Sequence, residues 1–233
     1  MFDLALVVAL AAAAAPSPGL QLPGLFHGDE TVARDGERWL ALIDGTEGVR
    51  LQAVRVSVQP AHDPVLDDED GRSGRIVESA SGLGGAVVAY LRGPGLRARA
   101  VTRAAIEDLP GQDGQRASVL RLGARSYRLE TQCTPDPAIR DAYRCTIQLT
   151  EGDRRQTLAE MAGTREQDGS LLLGDEASPH LIFAGDLDGD GALDLLYDRS
   201  DHYNVAAPTL FLSGAAAADE LVHPVAEQRT TGC

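Results

Sequence analysis

The sequence predicts a mainly β protein whose antiparallel sheets form a sandwich or a barrel, with few short helices. Short apolar segments of strand length recur along the chain and are separated by Gly, Pro and Asp. In one of them, Val54, Val56 and Val58 alternate with polar side chains, which is typical of a strand with one buried face. Hydrophobic residues make up 43% of the 233 residues, which is enough for a substantial core.

The strands are assigned from these segments in chain order. They are expected at 39–43, 49–58, 86–91, 96–104, 118–122, 126–130, 143–149, 171–173, 181–183, 193–197 and 209–212. The glycine-rich turn at 44–48 predicts a hairpin between the first two strands, and Gly93-Pro94-Gly95 separates the next two. Helices are expected only at 103–109 and 215–222. This spacing favours sheets packed on sheets over β-α-β units.

Two polar stretches bear on the domain organisation. Residues 16–37 are rich in Pro, Gly and charge, and predict a linker, so that the β-rich region spans 38–233. A polar break near 110–116 leaves both one domain and two domains open.

The first residues are typical of a secretory leader. Residues 4–15 form an unbroken apolar run, with Ala13 and Ala15 in the small-residue pattern of a cleavage site. Asp3 stands where a basic residue is usual, and an alanine-rich helix is the alternative interpretation. We expect residues 1–15 to be a signal peptide and the protein to be exported, periplasmic or extracellular. Other apolar runs fall short of bilayer length, so no membrane span is expected.

Cysteine usage agrees with an oxidising compartment. Cys133 and Cys145 bracket a short segment that contains two prolines, and we expect them to form a disulfide. Cys233 is left over, and three fates remain open: a free thiol, a bond to another chain, or exchange with one of the other two cysteines. A net charge of −14 argues against nucleic acid as a partner.

The most informative motif is an aspartate-rich loop at 186–194. With Asp186 as position 1, carboxylates occupy positions 1, 3, 5 and 9, and Gly191 occupies position 6, where the backbone turns sharply. Ca²⁺ takes six to eight oxygen ligands, which such a loop can largely supply. The expected ligands are the carboxylates of Asp186, Asp188, Asp190 and Asp194 and the backbone carbonyl of Ala192.

The flanks of this loop distinguish between types of calcium site. An EF-hand needs a helix on each side and a glutamate at position 12, but Tyr197 stands there and Pro179 lies upstream. The apolar runs at 181–183 and 193–197 favour a strand on each side. The segment 183–196 resembles one calcium loop of the FG-GAP/VCBS repeat family, which is known from integrin-type β-propellers and secreted bacterial proteins.

This resemblance implies a structural Ca²⁺ bound by the matching aspartates, usually with one backbone carbonyl. A propeller needs several copies at a fixed period, and one copy is present here, so a complete β-propeller is not expected. The alternative interpretation is an acidic hairpin turn that binds no metal.

Two other polar clusters have open interpretations. The acidic run from Asp67 to Asp70 lacks the alternating spacing and favours a solvated loop, with a second metal site as the alternative. Asp201 and His202 lie in a polar turn after the calcium loop, where the histidine could act as a base.

The sequence therefore predicts an exported calcium-binding module of a binding, adhesion or envelope type, with an unknown protein or glycan ligand. The alternative is a secreted hydrolase that uses the Asp201 and His202 loop, with calcium as structural support. Familiar motifs for hydrolases, phosphate loops and metalloproteases are missing from the sequence, which favours a non-enzymatic role.

Overall fold

The computed structural model describes residues 17–110, 116–167 and 169–232. The expected signal peptide and Cys233 lie outside these residues. The described chain forms antiparallel strands and one 3-10 turn at Ser213–Ala215. The strands are β1 (Gly19–Gln21), β2 (Gly24–Phe26), β3 (Arg38–Gly45), β4 (Gly48–Ala61), β5 (Gly74–Ser79), β6 (Gly85–Arg92), β7 (Arg99–Arg103), β8 (Ala105–Leu109), β9 (Ala117–Leu122), β10 (Arg125–Pro135), β11 (Ala142–Glu151), β12 (Arg154–Arg165), β13 (Leu171–Leu173), β14 (His180–Asp186), β15 (Asp194–Asp198), β16 (Val205–Ala206), β17 (Pro208–Leu212), β18 (His223–Glu227) and β19 (Thr230–Thr231).

The largest sheet has eleven strands and is nearly closed like a barrel. Its main path runs β1-β6-β3-β4-β7-β14-β15-β17-β18, and β5 and β2 branch from β4. The two ends of the path, β1 and β18, lie side by side. Next to them the Leu22 N–H donates to Oε1 of Gln228 at 2.6 Å. A side-chain amide thus bridges the gap where the strand ladder stops.

A second sheet of six strands, in the order β13-β12-β11-β10-β9-β8, forms a half-barrel. A small third sheet pairs β16 with β19. The predicted fold class, antiparallel barrel-like sheets with almost no helix, is confirmed. The described residues contain no helix with the length and hydrophobicity needed to cross a bilayer.

Three local predictions were wrong. Residues 215–222 form no helix, because the 3-10 turn ends at Ala215 and Ala216 is already extended, with φ of −69° and ψ of 141°. Residues 103–109 form the end of β7 and all of β8 instead of a helix, because β8 pairs along its whole length with β9. The residues expected as a linker carry β1 and β2, and Leu20 and Gln21 in β1 are fully buried. A three-residue strand between Gly and Pro residues shows too little periodicity to be recognised from sequence.

The polar break near 110–116 lies mostly outside the described residues. The strands on either side of it, β8 and β9, are direct neighbours in the half-barrel. The described strands on the two sides of the break therefore belong to one sheet.

Within the eleven-stranded sheet, β15, β17 and the second half of β14 are buried on both faces. Along these strands, side chains alternate between two hydrophobic clusters, as the two-residue period of a strand requires. The cluster shared with the half-barrel takes Ala184, Leu195, Tyr197 and Phe211. The cluster inside the larger sheet takes Phe183, Leu196, Leu210 and Leu212. Burial on both faces explains why these strands are continuous apolar runs in the sequence.

Candidate metal centre

The aspartate loop connects β14 and β15, the two strands of the central hairpin. Asp186 is the last residue of β14 and Asp194 is the first residue of β15. The strand–loop–strand arrangement predicted from the flanks is confirmed, and the EF-hand is excluded because no helix adjoins the loop. The loop is thus anchored at both ends in buried strand residues.

Three carboxylates meet inside this loop. One oxygen each from Asp186, Asp188 and Asp194 lies within 4.8 Å of the others. Their residues are 7%, 8% and 0% exposed. Burying a carboxylate costs several kcal/mol unless an opposite charge compensates. Three of them in one buried group could hold a metal ion.

Asp194 organises the loop through hydrogen bonds from backbone donors. The Leu187 and Asp188 N–H groups donate to its Oδ2 at 2.6 and 3.1 Å. The Ser213 N–H and hydroxyl donate to its Oδ1 at 2.7 and 2.8 Å. One side chain therefore ties the loop to the segment that follows β17.

Asp188 is held from the same side. The Gly214 N–H donates to its Oδ2 at 3.0 Å. A Cβ on Gly214 would lie 2.4 Å from that oxygen, so a side chain at this position would disturb the loop. Gly95, with φ of +75°, approaches Asp188 from the turn between β6 and β7. The carboxylate is enclosed by two backbone segments that are far apart in sequence.

Asp190 and Ala192 lie towards the tip of the loop. Asp190 is exposed, and its Oδ1 accepts the Ala192 N–H at 2.7 Å. Both Asp190 oxygens lie 3.1 Å from the Ser213 hydroxyl. The structure thus groups three of the four predicted carboxylates and connects the fourth to them through Ser213.

Arg99 on β7 supplies a positive charge beside the loop. Its Nη2 lies 3.8 Å from Oδ2 of Asp186. Its Nη1 is buried and has no hydrogen-bond partner among the described residues. A Cβ on Gly189, whose φ is +88°, would overlap this nitrogen, so the guanidinium lies directly against the loop backbone. One cation does not balance the loop's carboxylates.

The pKa values of two of these carboxyls are raised, mainly by burial and in addition by the neighbouring negative charges. Burial raises the pKa of Asp194 to about 7; the hydrogen bonds from Ser213 oppose that rise, and the charge of Asp188 adds to it. Burial, together with the charges of Asp190 and Asp186, also raises the pKa of Asp188. A bound cation reverses both influences, because it favours the ionised carboxylates.

Sequence reasoning did not find Arg99, Ser213, Gly214 or Gly95. They contribute from positions up to about a hundred residues from the loop, and no local spacing connects them to it. The available signals were weak: a Gly-Pro-Gly turn at 93–95 and a Ser-Gly pair directly after a predicted strand.

The acidic run from Asp67 to Asp70 does not form a second metal-ligand cluster. Oδ2 of Asp67 accepts the N–H groups of Asp63 and Ser73, which orders the loop, and Asp68 to Asp70 join no metal-ligand cluster. Within the described ranges, the loop triad is the one group of three or more His, Cys, Asp or Glu side chains with ligand atoms this close.

The Asp201 and His202 pair expected for a hydrolase is not formed. Asp201 accepts a hydrogen bond from Arg229 at 2.9 Å. Nε2 of His202 lies 2.9 Å from Asp175, and its Nδ1 accepts the Asn204 N–H at 3.3 Å. Both ring nitrogens thus have partners other than Asp201.

A different histidine pair escaped the sequence analysis. Nδ1 of His27 is hydrogen-bonded to Oδ2 of Asp63, which is 1% exposed. Oδ1 of Asp63 accepts the Val65 and Leu66 N–H groups at 3.0 and 3.2 Å. The hydrogen bond to Asp63 raises the pKa of His27, and the same bond lowers the pKa of Asp63. The two residues lie 36 positions apart, so sequence spacing gives no sign of the pair.

The predicted disulfide between Cys133 and Cys145 is confirmed. The two residues face each other on β10 and β11, so the bond joins the two strands of one hairpin in the half-barrel.

The chain matches no protein-family model, no curated protein and no solved structure. The resemblance of 183–196 to an FG-GAP/VCBS loop therefore stays a prediction. The chemistry of the site follows from its own geometry, which is a buried group of three carboxylates that could hold a metal ion.

Proposed function

We propose that the chain is an exported, β-rich binding module whose fold is stabilised by one Ca²⁺. The observation that carries this proposal is the buried carboxylate triad at the end of the central hairpin. The proposed ligands are those expected from the sequence: Asp186, Asp188, Asp190, Asp194 and the carbonyl of Ala192.

Donor chemistry and distances support Ca²⁺. Carboxylate oxygens suit hard cations, whereas zinc sites usually include His or Cys. Two oxygens bound to one Ca²⁺ at about 2.3–2.6 Å lie at most about 5 Å apart. The triad oxygens, within 4.8 Å of one another, meet this requirement.

The position of the triad supports a structural role. A cation there would connect the hairpin shared by both large hydrophobic clusters to the Ser213–Gly214 segment, which already hydrogen-bonds Asp194 and Asp188. A cation that binds the folded state and not the unfolded state stabilises the folded state.

Export is supported by the disulfide and by the predicted signal peptide. The half-barrel disulfide would persist in an oxidising compartment, where Ca²⁺ is also abundant. A module that binds a protein or glycan is favoured over a hydrolase, because both ring nitrogens of His202 have partners other than Asp201.

Calorimetric titration of the EDTA-treated protein tests the calcium site. We expect one Ca²⁺ per chain, and at least tenfold weaker binding by Asp186→Asn, which keeps an oxygen to accept the Gly189 N–H. Asp219→Asn is the matched control, because Asp219 is exposed and remote in sequence from the loop. Absence of binding, or equal affinity of Asp186→Asn and the parent, would contradict the proposal.

A further inference from the structure

The half-barrel encloses a cavity of about 830 Å³ that the metal centre does not use. It lies between β8–β11 on one side and the 171–181 segment with β15 on the other. Its volume falls within the range of small-molecule pockets, about 300–1,000 Å³. Its apolar lining includes Leu109, Leu129, Ile147, Leu172 and Leu181.

A tyrosine hydroxyl borders this cavity. Tyr197 on β15 is 4% exposed as a residue and lines the cavity. Its hydroxyl forms no hydrogen bond among the described residues and does not belong to their buried polar atoms without a partner, so its oxygen is accessible from the cavity. The phenol therefore presents an unused donor and acceptor to whatever occupies the cavity.

An unpaired cation also lines this cavity. Arg116, the residue before β9, is exposed and forms no ion pair within the described parts of the chain. Burial and the neighbouring charge of Asp198 raise the pKa of Tyr197, and the positive charge of Arg116 opposes them, so the guanidinium lies within electrostatic range of the phenol.

Three acidic residues also line the cavity, and one of them, Glu130, is paired with a cation among the described residues. Glu130 is paired with Arg128 at 2.6 Å, and Asp108 accepts the Ser118 hydroxyl at 2.7 Å. Glu176 is exposed on the rim. Arg116 is the one arginine or lysine of the lining, and its charge is unpaired among the described residues. It is therefore available to bind an anionic group.

We propose that this cavity binds an amphipathic carboxylate of the fatty-acid type, with its chain against the leucines and its head group at Arg116 and Tyr197. The inference rests on the proposed role as a binding module and specifies its ligand. It does not depend on the calcium centre, since none of the cavity-lining residues is a proposed Ca²⁺ ligand.

The apolar lining accounts for the hydrocarbon part of the ligand, because burying methylene groups supplies most of the binding free energy. The head group accounts for selectivity, since a carboxylate satisfies both the unpaired guanidinium and the unpaired hydroxyl. An uncharged amphiphile would satisfy the hydroxyl alone, and a cationic one would meet Arg116 as a like charge.

Titration calorimetry of the whole protein with laurate, methyl laurate and dodecyltrimethylammonium, below their aggregation concentrations, tests the proposal. We expect laurate to bind with one molecule per chain and at least fivefold more tightly than the other two. No laurate binding, or equal affinity for laurate and methyl laurate, would overturn it.

Two variants locate the site. Arg116→Gln should weaken laurate at least fivefold and leave methyl laurate unchanged, whereas Arg140→Gln, whose side chain is 94% exposed at a distant turn, should change neither. Tyr197→Phe should weaken laurate with an unchanged unfolding midpoint, because its hydroxyl has no hydrogen bond to lose. Full laurate affinity in both Arg116→Gln and Tyr197→Phe would overturn the assignment.

The same titrations in EDTA and in Ca²⁺ separate this inference from the proposed function. Laurate binding without any Ca²⁺ binding would leave the cavity assignment standing and remove the calcium centre. Ca²⁺ binding without laurate binding would remove the cavity assignment alone.

Discussion

Replacing Asp194 by alanine removes the acceptor for three backbone N–H groups, those of Leu187, Asp188 and Ser213. Each buried donor left without a partner costs about 1–3 kcal/mol. Water can reach the half-buried Ser213 and replace part of its lost bond, so we expect a loss in the lower half of the summed range, about 3–6 kcal/mol. The free energy of unfolding of a folded domain is about 5–15 kcal/mol, so this single substitution should remove a large part of it.

Urea unfolding followed by circular dichroism at 25 °C, in EDTA so that no metal contributes, measures this loss. Asp194→Asn should give a smaller loss, because one amide oxygen still accepts on one side of the loop. Asp219→Ala, at an exposed site, should match the parent. If Asp194→Ala lay within about 1 kcal/mol of the parent, the cost of one orphaned donor, Asp194 would not be the organiser of the loop.

Three further results are expected. Ca²⁺ at about 100 times its Kd should add about 2.7 kcal/mol and raise Tm by about 5–10 °C relative to EDTA; coincident melting curves would be inconsistent with a bound ion. His27 has a raised pKa and Asp63 a lowered one, so the pair stabilises most between their unfolded pKa values of 3.8 and 6.5. The parent's advantage over His27→Gln in urea midpoint should therefore shrink as pH rises from 6 to 9, and a constant advantage would count against the ion pair. Reducing the Cys133–Cys145 bond, which closes a separation of 12 residues, should cost about 3 kcal/mol on the chain-entropy model; an unchanged denaturation midpoint after complete reduction would show that the bond does not stabilise the fold.

The sequence was informative wherever chemistry and periodicity were local. The strand character of 181–183 and 193–197 follows from continuous apolar runs, and burial on both faces explains those runs. The loop carboxylates follow from their alternating spacing. The disulfide follows from two cysteines in a short segment, and β10 and β11 hold them opposite each other.

The rest depended on contacts between distant parts of the chain. Ser213 and Gly214 reach the loop only because β17 pairs with β15, and Arg99 reaches it because β7 pairs with β14. The strand β1 owes its burial to pairing with β6, about 70 residues later. Such pairings are set by the closure of the large sheet, which no local pattern encodes.

The predicted pairing of Asp201 with His202 also failed because of contacts with distant segments. Asp201 and His202 are adjacent in sequence, but adjacent residues of a turn point in different directions. Arg229 and Asp175, from other segments, take up the two side chains.

The most direct test of the calcium centre is a crystal structure of the Ca²⁺-loaded protein with anomalous diffraction data. We expect one anomalous peak within about 2.3–2.6 Å of oxygens from Asp186, Asp188 and Asp194. A triad without a peak at saturating Ca²⁺, with the Arg99 guanidinium bonded to its carboxylates instead, would contradict it.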